Sequence, residues 1–204
     1  MFTGIVKGYF PVSRIEKFNE LNRITVQLPP ELLDKLEIGA SIAVNGCCLT
    51  VVAFDQNGVS FDAMKETLRV TNLGDIEEGS KVNIERAARF GDEIGGHLLS
   101  GHIHDTVEIC DVIKEENNVT IFFKFDPKWK DYILSKGYVS LNGCSLTIGD
   151  KVEDDRFCVH LIPETLKVTC FGTSQVGDRI NLEIDSQTQA IVTTVKSYLA
   201  AAKH

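Results

Sequence analysis

No run of lysine or arginine in this sequence is long enough to track a phosphate backbone, and its 204 residues carry a formal net charge of −8. That excess of acid makes nucleic acid and anionic membrane surfaces poor partners. No apolar stretch approaches the length of a membrane span, and the opening MFTGIVKG lacks the charged and apolar regions of a secretion signal. Both absences point to the cytoplasm. No CxxC pair occurs among Cys47, Cys48, Cys110, Cys144, Cys158 and Cys170, and two of the six are adjacent. A disulfide framework is therefore not expected, and cysteines set between apolar residues, as in FCVHL and EICDVI, read as core. There is no GxGxxG, no Walker loop and no alternation of strand with helix, which excludes Rossmann and P-loop nucleotide binding. What remains is an ordinary globular composition, 43% hydrophobic and 25% charged, long enough for one domain or two small ones.

The sequence repeats itself. NGCCLT at 45–50 returns as NGCSLT at 142–147, and in the same register Met1-Phe2-Thr3-Gly4 falls on Leu98-Leu99-Ser100-Gly101. Arg23–Leu28 falls on Thr120–Phe125, and Pro30 on Pro127. One inserted residue later, ETLRVTNLG (66–74) meets ETLKVTCFG (164–172), and GSKVNIE (79–85) meets GDRINLE (177–183). A register held along most of each half marks a duplication. The halves meet near Gly95-Gly96-His97, giving a first domain over 1–96, a second over 97–186 and a tail over 187–204.

Each half reads mostly as strand. ITVQL and VTIFFKF are rich in β-branched and aromatic residues, and CLTVVAF-DQNG-VSFDAM looks like two strands joined at Asn57-Gly58. Pro29, Pro30 and Pro127 precede helical candidates in ELLDKLEIG and KWKDYILSKG, each closed by glycine. Several short strands per half fit a small closed barrel, which leaves no exposed edge. The fold class expected is all-β, two homologous barrels in tandem plus a C-terminal helix. In that tail Ile191, Val195 and Leu199 recur at helical spacing beside Val192 and Tyr198, with Asp185 or Ser186 as N-cap. Such a helix either joins subunits or folds back on its own barrel; periodicity alone does not choose.

Polar residues common to both halves are candidates for binding. Asn45/Asn142, Thr50/Thr147, Glu66/Glu164 and Thr67/Thr165 would give two similar small-ligand pockets, although Asn-Gly also reads as a tight turn and ETL as a helix cap. Residues that differ are candidates for chemistry: Ile5 becomes His102, Gly39 becomes Lys136, Ser41 becomes Tyr138, Cys48 becomes Ser145 and Ala87 becomes Asp185. Drift after duplication produces such differences too. His97, His102 and His104 in IGGHLLSGHIH lack the spacing of zinc ligands, so no metal is expected, and a histidine here serves better as a proton carrier.

The set MFTGIV, NGCCLTV, FDAMKETLRVTNLG, GGHLLSGH, NGCSLT, LIPETL and VGDRINLEID resembles the α-type riboflavin synthase family over essentially the whole chain. The resemblance implies two six-stranded Greek-key barrels and a C-terminal helix that assembles a homotrimer. It implies a dismutation in which two molecules of 6,7-dimethyl-8-ribityllumazine exchange a four-carbon unit, giving riboflavin and 5-amino-6-(ribitylamino)uracil. No metal, flavin or nicotinamide cofactor is implied. Each site would lie between the first barrel of one subunit and the second barrel of a neighbour, and the trimer would work free or inside a lumazine synthase shell.

By the same resemblance, the first-barrel ligand would be held by Gly4, Ile5 and Val6, by Cys48, Leu49 and Thr50, and by Asp62, Ala63, Met64, Lys65, Glu66 and Thr67. The second would be held by Gly101, His102 and Ile103, by Ser145, Leu146 and Thr147, and by Ile162, Pro163, Glu164, Thr165, Leu166 and Lys167, with Lys136 reaching in from a neighbouring subunit. The 7-methyl group of one lumazine must lose a proton, and the carbanion must attack the other molecule. His102 and Ser41 are assigned that proton transfer, Cys48 a nucleophilic or acid/base part, and Asp185 the orientation of a neighbour. Asn142 and Cys144 stand where the family more often has DGISLT or DGVSLT, and Cys170 and Phe171 replace Thr or Asn and Leu. A non-catalytic lumazine- or flavin-binding antenna on the same fold is the alternative. Such relatives lose much of the GGHxxSGH and ETL sets, which are intact here. An oligonucleotide-binding barrel is opposed by the charge and by the lack of an aromatic-basic surface.

Overall fold

The computed structural model describes residues 1–202 and contains two closed six-stranded barrels, both antiparallel throughout. The first barrel comprises β1 (Gly8–Lys17), β2 (Leu21–Val26), β3 (Ser41–Val44), β4 (Cys47–Asp55), β5 (Gly58–Met64) and β6 (Lys81–Arg86), closed in the order β1-β2-β5-β4-β3-β6. The second uses β7 (Asp105–Lys114), β8 (Val119–Lys124), β9 (Tyr138–Leu141), β10 (Cys144–Val152), β11 (Arg156–Leu161) and β12 (Arg179–Ile184) in the equivalent cyclic order. Alternation explains which face turns inward. On β5, Val59, Phe61 and Ala63 are buried while Ser60 and Asp62 face outward.

The two interiors are filled differently. Val12, Ile24, Val26, Val51 and Phe61 fill the first. In the second, Phe123 stacks on Phe157 at 5.4 Å and meets Phe171 edge-on at 6.3 Å. Phe122 points outward yet is buried, because the cations of Arg156 and Lys151 lie over its ring at 5.1 and 5.9 Å.

The helical candidates after the prolines are shorter than the sequence predicts. α1 spans only Pro30–Leu33, and the equivalent Pro127–Tyr132 is a 3-10 turn. Leucine-rich composition is overridden by a tertiary contact: the Arg86 guanidinium takes the carbonyls of Leu32, Asp34 and Lys35 at 3.4, 2.6 and 3.4 Å and so satisfies the ending chain. The ETL segments lie inside α2 (Lys65–Val70) and α3 (Pro163–Val168) and do not cap them; the N-cap positions are Met64 and Ile162, with no side-chain cap.

The tail forms α4 (Ser186–Ala201), and of the two N-cap candidates it is Asp185 that accepts from the Thr188 amide and hydroxyl, both at 2.8 Å. The helix docks on its own barrel by polar contacts, Lys196 with Asp131 at 2.5 Å, Tyr132 with Thr193 at 3.3 Å and His104 with Gln189 at 3.2 Å. Its apolar residues Ile191, Val195, Tyr198 and Leu199 remain exposed. No helix among the described residues is long and apolar enough to cross a membrane.

Candidate active site

Each hexapeptide begins as a hairpin turn. Asn45 and Gly46 have φ of +46° and +79°, and Asn142 and Gly143 have +45° and +80°. Two positive φ values in a two-residue loop define the type I′ turn, whose twist suits β3–β4 and β9–β10 and which favours Asn-Gly. The two turns abut where the barrels meet, so closely that a Cβ on Gly46 would lie 2.5 Å from the Gly143 nitrogen.

Around that contact the barrels exchange asparagine hydrogen bonds in matching pairs. Asn181 Nδ2 donates to the Asn45 carbonyl at 2.8 Å, and Asn83 Nδ2 donates to the Asn142 carbonyl at 2.9 Å. The Asn72 amide donates to Asn181 Oδ1 at 2.7 Å, and the Cys170 amide donates to Asn83 Oδ1 at 2.8 Å. Asn72 and Cys170 are equivalent positions, so a main-chain amide meets the same need in both copies. Buried polar groups are thereby paired, which a polar interface requires. Cys144, in this layer, has its thiol pushed well above the ordinary value by burial, and Cys47 is pushed up to about 12 by burial and then by its neighbour Cys48. Both are packing thiols.

The segments entering each barrel cross to the other one. The Gly4 carbonyl accepts from the Ser145 amide at 2.9 Å, and Val6 packs on the core of the second barrel. The Gly101 carbonyl accepts from the Cys48 amide at 2.8 Å, and Ile103 packs on the core of the first. Phe2 and Leu99 form an antiparallel bridge between the two arms, over Ala43 and Cys48. Gly4 and Val6 thus touch the second barrel and Gly101 and Ile103 the first, whereas the sequence groups Gly4–Val6 with Cys48–Thr50 and Gly101–Ile103 with Ser145–Thr147. Local alignment pairs each arm with its own half, and only the chain crossing reverses this.

The structure brings together two unlike faces. On the first, half-buried Cys48 pairs with Ala43 on β3, and Ser41 opens the same strand opposite Thr50. His102 is exposed and its amide donates to Ser100 Oγ at 3.1 Å. No hydrogen bond links Ser41, Cys48 and His102 side chains among the described residues. Asp62, Ala63 and Met64 end β5 at the end where β4 begins, since the strands run antiparallel from the Val51–Phe61 pair. Arg23 holds the Asp62 carboxylate through two bonds of 2.7 and 2.9 Å and so keeps it below the ordinary carboxylate range. Lys65 pairs with Glu20 at 3.1 Å, Glu66 pairs with Arg69 within α2, and the Thr67 carbonyl accepts from Thr71.

On the second face His97, which the sequence offers only as a rejected metal ligand or a proton carrier, takes the central place. Its Nδ1 lies 2.6 Å from Ser145 Oγ, and its ring stacks on Tyr138 with centroids 5.0 Å apart. Its Nε2 is buried with no hydrogen-bond partner among the described residues. Burial pushes the imidazole below its ordinary value against the opposing charge of Asp185, so the ring is neutral at neutral pH. A neutral imidazole on a serine hydroxyl can accept or return that proton. Asp185 is thus both the α4 cap and a charge that acts on this ring. The signal in the sequence was the run of histidines in GGHLLSGHIH. Ile162, Pro163 and Glu164 are exposed at the start of α3, Thr165, Leu166 and Lys167 follow within it, and the Thr165 carbonyl accepts from Thr169. Lys136, with φ of +63°, is exposed and paired with Asp150 at 2.9 Å. The remaining histidines do not gather: among the described residues no three His, Cys, Asp or Glu side chains come together as metal ligands. A cleft of about 520 Å³ lined by Thr3, Ile5, Lys7, Glu85 and Asp92 runs beside the first arm.

Known proteins match this architecture along its whole length. The family model described as the lumazine binding domain fits twice, at residues 3–87 and 100–185. Over 205 residues the chain is 54% identical to the riboflavin synthase of Escherichia coli (strain K12), spanning 100% of this chain and 96% of that protein. The chain belongs to the riboflavin synthase family. The Bacillus subtilis (strain 168) riboflavin synthase is 37% identical over 185 residues, covering 91% of this chain and 85% of its own length. Among solved structures, LumP complexed with riboflavin superposes with a TM-score of 0.84 at 30% identity, over 90% of this chain and 99% of that one. LumP complexed with 6,7-dimethyl-8-(1'-D-ribityl) lumazine gives 0.82 at 29%, with the same coverage.

Proposed function

We propose that this chain is a riboflavin synthase, converting two molecules of 6,7-dimethyl-8-ribityllumazine into riboflavin and 5-amino-6-(ribitylamino)uracil. The observation that carries the reading is the pair of equivalent but chemically unlike faces in one chain. A reaction that uses one substrate twice, once as donor and once as acceptor of a four-carbon unit, needs two similar pockets with different proton-handling groups. The two products together contain every atom of the two substrates, so the net reaction needs no oxidant, reductant or co-substrate. Full-length identity to riboflavin synthases supports the same reading.

In this reading one lumazine lies against Cys48–Thr50, Asp62–Thr67 and the Gly101–Ile103 arm. The other lies against Ser145–Thr147, Ile162–Lys167 and the Gly4–Val6 arm. Main-chain amides and carbonyls of these segments suit the uracil-like edge, and hydroxyls such as Thr50, Thr147 and Thr165 suit the ribityl chain. Holding the two rings face to face supplies effective molarities of about 10⁵ M or more. Proton transfer by Ser145–His97 on one face and by His102, Ser41 or Cys48 on the other adds about 10²–10⁴-fold. Exposed Ile191, Val195, Tyr198 and Leu199 on α4 give the apolar seam for a homotrimer, in which the first barrel of one subunit would meet the second barrel, and Lys136, of its neighbour. Six free cysteines suit a reducing cytoplasm.

The test is direct. Purified protein is mixed with the dimethyl-ribityllumazine and nothing else, and riboflavin absorption and fluorescence are followed. Absence of product under neutral, metal-free conditions refutes the reading. The likeness to LumP favours one other reading, a chromophore-binding antenna, which would bind the lumazine tightly without consuming it.

A further inference from the structure

The last strand of each barrel carries one buried carboxylate, Glu85 on β6 and Glu183 on β12, each 3% exposed. A buried carboxylate is costly unless its oxygens are well provided with donors. Here those donors come from the arms. Glu85 Oε1 accepts from the amide and the hydroxyl of Thr3 at 2.7 and 2.8 Å, and Oε2 accepts from the Gly4 amide at 3.0 Å. Glu183 Oε1 accepts from the amide and hydroxyl of Ser100 at 2.7 and 2.8 Å, and the Gly101 amide lies 3.2 Å from both oxygens. Burial raises the Glu85 pKa, and the bonds from Thr3 and Gly4 work against that rise.

Each arm then ends on the opposite barrel with no slack. A Cβ on Gly4 would lie 2.5 Å from Ser145 Cβ, and one on Gly101 would lie 2.6 Å from Cys48 Cβ. An arm cannot move without moving the residue it touches. Ser100 Oγ, anchored on Glu183, also accepts from the His102 amide, so one carboxylate orders both Cys48 and His102.

We propose that Glu85 and Glu183 are positioning residues that act crosswise. Glu85, rooted in the first barrel, sets the Ser145–His97 face of the second; Glu183, rooted in the second, sets the Cys48–His102 face of the first. A carboxylate is required because three donors converge on it, and an amide would turn an NH2 group toward one of them. The two faces are thereby tied together, which suits a reaction that needs both occupied. Only this last consequence rests on the riboflavin synthase reading.

The test uses the full-length variants Glu85→Gln and Glu183→Gln without substrate. Two quantities are read: the rate of iodoacetamide alkylation at Cys48 by mass spectrometry, and the ring-nitrogen resonances of His97. Loss of a charge-assisted anchor is expected to change the Cys48 rate by about tenfold in Glu183→Gln and leave it unchanged in Glu85→Gln. The His97 resonances should move in Glu85→Gln and stay in Glu183→Gln. The contrast is demanding because Glu85 sits on Cys48's own barrel, with only Ala43 between them in the ladder. Were Glu85→Gln to act at Cys48, or were both variants to act equally on both faces, the proposal would be overturned. Should a glutamine variant fail to fold, Thr3→Val and Ser100→Ala remove single donors, with the shift expected at His97 and at Cys48 respectively. Turnover is then measured with the dimethyl-ribityllumazine, where kcat should fall about tenfold in either variant. A wild-type protein without turnover but with the crossed pattern would refute the riboflavin synthase reading and leave this one standing.

Discussion

Alanine at Gly46 tests whether the two barrels depend on the contact between their Asn-Gly turns, and alanine at Gly39 supplies the control. Both glycines have positive φ, +79° and +91°, so both substitutions place a side chain in the left-handed region. At Gly39 the added Cβ meets nothing within 4 Å, and only the backbone strain of about 1–2 kcal/mol applies. At Gly46 the Cβ would lie 2.5 Å from the Gly143 nitrogen and 2.8 Å from its Cα. Those are backbone atoms of a type I′ turn and cannot rotate away, so the barrels must separate. Overpacking adds about 1–3 kcal/mol. Lengthening the bonds from Asn181 to Asn45 and from Asn83 to Asn142 adds about 1 kcal/mol for each. The expected total is about 4–7 kcal/mol for Gly46→Ala, against about 1–2 for the control. At about 2–4 °C per kcal/mol for a chain of this size, Tm falls by roughly 8–28 °C in one and by roughly 2–8 °C in the other. The single tryptophan, Trp129, lies in the second barrel, so its fluorescence follows that barrel while far-UV circular dichroism follows both. In urea the two probes should coincide for the native chain and separate for Gly46→Ala. Equal destabilisation of the two variants, with coincident probes, would refute the coupling.

Three other outcomes follow from the same geometry. Asn181→Ala removes the bonds to the Asn45 carbonyl and from the Asn72 amide, leaves both groups buried, and is expected to cost about 2–4 kcal/mol in urea denaturation. His97 has a lowered folded pKa, so its contribution to stability is complete above the unfolded value near 6.5 and is lost as pH falls through the folded value. Comparing wild type with His97→Gln at pH 7.5 and 5.5 isolates this effect, whose slope is at most about 1.4 kcal/mol per pH unit; an unchanged difference at the two pH values would contradict it. If Cys48 and Ser145 divide the chemistry, exchanging them as Cys48→Ser plus Ser145→Cys lowers kcat by about tenfold or more while the fold, followed by circular dichroism, is kept.

Much of the fold was legible because its determinants are local. The Asn-Gly of each hexapeptide reads as a turn by backbone conformation alone, and positive φ at Asn45 and Asn142 bears that out. Two-residue alternation marks strands such as β5, and Asp185 before the helical stripe is a sound N-cap. The helix after Pro30 came out shorter because Arg86, distant in sequence, takes the carbonyls that end α1, and no local pattern announces such a contact.

The candidate site divides along the same line. A single sequence determined the duplication, the barrel class and the list of unlike positions, since each follows from internal repetition and residue type. It also singled out the change from Ile5 to His102 within GGHLLSGH. Only the tertiary structure decided that the arms cross, that His97 rests on Ser145 and Tyr138, and that Glu85 and Glu183 anchor the arms. The physical reason is that the two copies share one alignment, within which an arm fits either barrel. The choice is made by hydrogen bonds and close packing between segments far apart in the chain, and these exist only once both barrels have closed.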